Sequence, residues 1–173
     1  MESDVLDIVT NLSDDIRETY RFSLFPTSEL YKEPEEIADL IGGGIQYDNR
    51  LPGAEVCRCG NGFLIRIPET EQKTMTLKYF AQGLAILFLK MKYEISEEDF
   101  FEFENMKMHS SSDKLYQDFA DEMLCPLKTI GSIIDQQTRY GDSVSSARVS
   151  EKTGLEEEYI IERMKDYKNK QEQ

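Results

Sequence analysis

Apolar residues recur at a helical period from the start of the chain. Val5, Ile8, Val9, Leu12, Ile16 and Tyr20 fall on one stripe, which predicts an amphipathic helix over residues 3–22. Pro26-Thr27-Ser28 interrupts it. Pro34-Glu35-Glu36 then opens a second helix, since proline suits a first helical turn and acids suit its positive end. That helix carries Ile37, Ala38, Leu40 and Ile41 and stops at Gly42-Gly43-Gly44. The period then shifts toward that of a strand. Ile45-Gln46-Tyr47, Glu55–Cys59 and Phe63–Ile67 read as strands, the last two joined by a Gly60-Asn61-Gly62 turn and the third closed by Pro68.

The densest apolar run is Met75 to Lys92. Leu77, Phe80, Ala81, Leu84, Leu87, Phe88 and Met91 hold helical spacing, while Ala85, Ile86 and Leu89 extend the apolar surface most of the way round. A helix apolar on nearly every side is buried centrally. Ser96-Glu97-Glu98-Asp99 resembles a capping-box start for a short acidic helix, and Ser110-Ser111-Ser112 marks a loop. Asp113–Leu124 is predicted helical with Leu115, Tyr116, Phe119, Ala120, Met123 and Leu124 inward, ending at Pro126, and Leu127–Tyr140 adds another helix. The tail, Val144–Thr153, Gly154 and Leu155–Tyr167, has the cadence of a helix-turn-helix with Val149, Ile160, Ile161 and Met164 inward. The second of these helices begins Glu156-Glu157-Glu158. Three carboxylates there would meet phosphates and base edges, which favours a structural helical tail over a DNA reader.

These elements predict an α+β fold: a small three-stranded sheet against a mostly helical body. With 173 residues the chain is long enough for folding to bury roughly 70% of its surface. Residues 1–140 are expected to form one α+β domain, with 141–173 a helical tail packed on it and not independent. The net charge of −14 repels duplex phosphate and anionic membrane surfaces alike, so neither direct nucleic-acid binding nor membrane binding is expected. Acids outnumber bases 12 to 4 over residues 1–50 and 13 to 9 over 111–173, but only 9 to 7 over 51–110, which places the core in the middle of the chain. The longest apolar stretch, Tyr79 to Leu89, is about half of the roughly 20 residues a membrane span requires. An acidic start unlike a signal peptide and an odd set of cysteines predict a reduced, cytoplasmic protein.

Candidate chemistry is sparse. A single histidine, His109, rules out His-based relays and sites built on two or three histidines. Glu97, Glu98, Asp99, Glu102 and Glu104 lie near it in sequence and read either as a metal or acid/base site or as a solvated helix face. Cys57 and Cys59 share one face of a strand but lack a second ligand pair, which leaves a packing or surface role. Cys125, before Pro126, reads as a small buried hydrophobe. Gly42-Gly43-Gly44 lacks the Lys-Ser/Thr of a phosphate loop.

Four segments in order carry a resemblance: Pro34-Glu-Glu-Ile-Ala-Asp-Leu-Ile, Gly62-Phe-Leu-Ile-Arg-Ile, Phe80-Ala-Gln-Gly-Leu-Ala-Ile-Leu-Phe-Leu, and Asp113-Lys-Leu-Tyr-Gln-Asp-Phe-Ala-Asp-Glu-Met-Leu-Cys-Pro. From about Pro34 to about Tyr167 the chain resembles the ImmA/IrrE-type metallopeptidase domain of phage, mobile-element and stress regulators. The last segment is similar to that family's Glu-x-x-Ala-Asn-x-Phe-Ala-x-x-Leu-Leu-Met-Pro helix. The resemblance implies a zincin-like body in which a His-Glu-x-x-His helix holds zinc and its glutamate takes a proton from metal-bound water. The matching positions here are Gln82, Gly83 and Ile86, the acid on the next helix maps onto Asp113, and the companion asparagine onto Gln117. An amide, a hydrogen and a hydrocarbon cannot replace that chemistry.

The resemblance therefore implies a catalytically inactive copy, with no metal, cofactor or catalytic residue. Its degenerate groove, near Gln82, Ile86, Asp113 and Gln117, would bind a protein partner as a regulator. A basic, DNA-binding helix-turn-helix repressor of a phage or mobile element suits the acidic surface. Two alternatives stand beside it: a metal-dependent peptidase with an unconventional site, and a structural subunit of a larger assembly.

Overall fold

A computed structural model of the protein describes residues 2–93 and 112–173. Among these residues the chain is α+β, with seven α-helices and one three-stranded mixed sheet. Helix α1 (Glu2–Tyr20) leads to α2 (Pro34–Ile41), then to β1 (Gly44–Tyr47), β2 (Glu55–Cys59) and β3 (Gly62–Ile67). Helix α3 (Lys73–Ala85) continues as a π-helical segment, Ile86–Lys90. Helices α4 (Ser112–Leu124), α5 (Leu127–Arg139), α6 (Ser146–Thr153) and α7 (Glu157–Gln171) complete the order.

The sheet order is β1-β3-β2, with β1 parallel to β3 and β2 antiparallel to it. Alternation along β3 turns Phe63, Ile65 and Ile67 inward, all nearly fully buried. Opposite them, Leu64 and Arg66 share the outer face with their partners Cys57 and Glu55 on β2. Helix α2 ends because Gly42 adopts φ 107°, a left-handed conformation that returns its N–H to the helix. Gly43 then passes so close to β3 that a Cβ there would lie 2.5 Å from the Phe63 carbonyl oxygen.

Helix α3 lies against β3 on one side and α4 on the other, and α1 covers α4. The centre of the molecule is built from Leu77, Phe80, Ala81 and Leu84 of α3 with Phe119, Ala120 and Met123 of α4, closed by the inner face of the sheet. The uninterrupted helix expected over 75–92 is corrected: regular α-helix stops at Ala85. Met91 N–H donates to the Ile86 carbonyl at 2.9 Å across a wider turn, and Lys92 reverses the chain at φ 59°. Leu87, Phe88 and Leu89 are all buried, so the segment is enclosed on most of its circumference. Ser112, expected in a loop, opens α4. The helix start expected at Ser96-Glu97-Glu98-Asp99 lies outside the described residues.

The C-terminal helices are stitched to the rest by polar groups. Thr27 N–H donates to the Thr153 carbonyl at 3.3 Å, and Glu156 N–H to Thr74 Oγ1 at 2.9 Å. Helix α7 starts at Glu157, and its inward face differs from the expectation. Ile160 is buried but Ile161 is 39% exposed, and Arg163, at 4%, occupies the interior. Its guanidinium donates to Glu122 Oε1 at 2.8 Å and, through Nε and Nη2, to the Cys125 carbonyl. Glu122 Oε1 also accepts the Leu127 N–H at 3.2 Å and so caps α5. Burial alone would lower the Arg163 pKa, but Tyr159, Glu122 and Asp121 outweigh it and raise it. In α2, Leu40 likewise points to solvent.

Candidate functional site

Gln82 and Ile86 stand one turn apart on the α3 side; Asp113 and Gln117 stand one turn apart on α4. Because α3 and α4 pack along their lengths, the two pairs face one cleft of about 230 Å³. All four residues singled out from the sequence line it, together with Ala54, Ala85 and Tyr116. Ala54 directly precedes β2, an edge strand of the sheet among the described residues, which brings that edge toward the cleft's rim. Ala85 is buried, Gln82, Ile86 and Tyr116 are partly buried, and Asp113 and Gln117 are exposed. The floor is therefore hydrocarbon and the α4 wall is polar.

Gln117 Nε2 donates to Asp121 Oδ2 at 3.0 Å, and Tyr159 OH on α7 donates to Asp121 Oδ1 at 3.2 Å. One carboxylate thus holds both a cleft side chain and the C-terminal helix. Burial, followed by the charge of Asp121, pushes the Tyr159 phenol well above its ordinary range, so it remains a donor. Asp113 forms no ion pair with any described cation.

Gly83 lies on the other side of α3. A Cβ there would sit 2.6 Å from Ile65 Cγ2, so helix and sheet have closed to a distance only glycine permits. A carboxylate base at this position would have to displace the core strand. Zinc, the metal of the family the sequence resembles, does not fit the donor set. The cleft offers one carboxylate, two neutral amides and a hydrocarbon where two imidazoles and an acid are required. Among the described residues no three His, Cys, Asp or Glu side chains gather as a metal-holding group.

The remaining candidates do not join this cleft. Cys57 and Cys59 are exposed on β2, with Cys57 Sγ 3.9 Å from the Leu64 carbonyl. Cys125 is buried, and burial pushes its thiol up to about 12. Glu97, Glu98, Asp99, Glu102, Glu104 and His109 lie outside the described residues. Asp121 and Tyr159 were not reached from the sequence. The spacing of Asp121 at i+4 from Gln117 was the available signal for the first, whereas nothing local points from Tyr159 to α4.

No protein family, characterised protein or solved structure matches the chain. No helix among the described residues is long and apolar enough to cross a membrane.

Proposed function

We propose that this chain is a catalytically inactive homologue of ImmA/IrrE-type metallopeptidases that grips a protein partner without cutting it. The observation that carries the reading is the gathering of Gln82, Ile86, Asp113 and Gln117 in one cleft between α3 and α4, while Gly83 is pressed against Ile65. The groove is retained and the base position is closed. On this reading the helical body and sheet are a zincin-like scaffold, and α6 and α7 are a helix-turn-helix-like tail serving packing. Among the described residues β2 is an edge strand beside the cleft, which supports the reading further, because an extended segment of a partner can add to such an edge through main-chain hydrogen bonds. A net charge of −14 favours encounter with a basic partner such as a phage or mobile-element repressor.

The test is recovery of a partner from the native host by the wild-type chain and by a Gln82→Ala/Asp113→Ala variant. Loss of a transcription regulator from the variant supports the reading, and unchanged recovery moves binding elsewhere. Metal analysis and peptide hydrolysis test it independently. Stoichiometric metal with chelator-sensitive cleavage would replace the adaptor with a metallopeptidase of unconventional site. Recovery of a particle component in place of a regulator would point to a structural subunit.

A further inference from the structure

We propose that the cleft recognises an arginine side chain of the partner; this rests on the reading that the cleft binds a protein. The polar wall presents acceptors. With one Nε2 hydrogen bonded to Asp121, the Gln117 amide is oriented so that its oxygen is left to accept from a ligand. Asp113 contributes a carboxylate one turn away along the same helix, about 6 Å by helical rise. No described cation is paired with that carboxylate. A ligand that satisfies both of these acceptors donates hydrogen bonds, and a positive charge satisfies Asp113 in a molecule whose net charge is −14.

The rest of the cleft selects the stem. Ala54, Ala85 and Ile86 form an apolar floor on which a chain of methylenes can lie, and the Tyr116 ring stands between the two acceptors in sequence. Arginine has the matching anatomy: a three-carbon stem, a flat head that stacks on aromatic rings, and five donors spread across a fork. A lysine ammonium is compact, strongly hydrated and unable to reach two acceptors a helical turn apart. The Tyr159–Asp121–Gln117 chain makes Asp121 a positioning residue, since it fixes which end of the Gln117 amide meets the ligand.

Three blocked amino acids serve as probes: the N-acetyl N-methylamides of arginine, lysine and citrulline, the last a neutral isostere of arginine. Each is titrated into the full-length, isotope-labelled protein while backbone amide shifts are followed by NMR. The arginine probe should shift amides around Gln82, Ile86, Asp113 and Gln117 saturably. The lysine probe should bind at least three-fold more weakly, and the citrulline probe at least ten-fold. Asp113→Asn should weaken the arginine probe at least five-fold with only a small fall in thermal midpoint, because Asp113 is exposed and serves the fold only as an acid in the first turn of α4, whereas Glu158→Gln should leave binding unaltered. Equal binding of citrulline and arginine, or unaltered binding to Asp113→Asn, overturns the assignment. So does the absence of shifts at the cleft with all three probes. Partner recovery in the Gln82→Ala/Asp113→Ala variant separates the two claims. A partner lost from that variant while the probes fail removes only the arginine assignment; a partner retained while the arginine probe binds removes the partner-binding reading and with it the claim that the arginine is the partner's, leaving only a cleft that takes an arginine side chain.

Discussion

Gly83 shows how much one missing side chain can decide. Its Cα–H faces Ile65, and any Cβ would enter the van der Waals space of that strand. Gly83→Ala should cost about 1–3 kcal/mol through overpacking, partly offset by alanine's better helix propensity. Gly83→Glu should cost more, because it also buries an unpaired carboxylate. Urea denaturation of the three proteins measures both. The cysteines make a second contrast at this scale. Cys57 and Cys59 are exposed, whereas Cys125 is held protonated by burial, with a pKa of about 12 against an ordinary 9.0. Mass spectrometry after brief alkylation should find modification confined to Cys57 and Cys59 in the native protein, with Cys125 labelled only in denaturant. The linkage has a definite sign. Below pH 9.0 the thiol is neutral in both states and its contribution is complete; between pH 9.0 and about 12 only the unfolded chain ionises, so stability falls. A Cys125→Ala variant should show a shallower loss over that interval.

Helix ends and turns follow local chemistry more closely than packing does. Ser145 adopts an extended conformation before α6, and its Oγ accepts the Arg148 N–H at 3.3 Å. Ser145→Ala should cost about 1 kcal/mol by leaving that donor uncapped, a shift readable in thermal unfolding. Proline opening α2, glycine closing it and the Gly60-Asn61 hairpin turn were all legible for the same reason: each depends on residues within a few positions. The π-helical turn at Ile86–Lys90 was not, because an apolar run has the same composition whether its turn is wide or narrow. The parallel pairing of β1 with β3 was likewise hidden, since strand order depends on how a chain returns and not on the strands' own residues.

Across the whole molecule, the C-terminal helices complete the core. Val149, Leu155 and Ile160 are buried, and Arg163 joins α7 to Glu122 and the Cys125 carbonyl. A chain ending at Tyr140 would leave Glu122 and that carbonyl without their cation. It should lose cooperative unfolding and near-ultraviolet circular dichroism. Arg163→Met alone should cost about 3–5 kcal/mol by stranding a buried carboxylate, and adding Glu122→Gln should recover part of the loss. Chemical denaturation of the two variants distinguishes a stranded charge from simple loss of packing.

The sequence by itself determined the α+β class and the position of the core helices, because hydrophobic period is a local property of the chain. Gln82, Ile86, Asp113 and Gln117 were singled out through the resemblance to a metallopeptidase motif, and helical spacing then puts each pair on one helix face. Only the tertiary structure decided that the two faces meet, that Asp121 and Tyr159 tie Gln117 to α7, and that an arginine belongs in the interior of the last helix. The deciding contacts, Tyr159 with Asp121 and Arg163 with Glu122, join residues 38 and 41 positions apart, where the energy of a buried charge or a closed helix–helix approach is set by neighbours that no local pattern encodes.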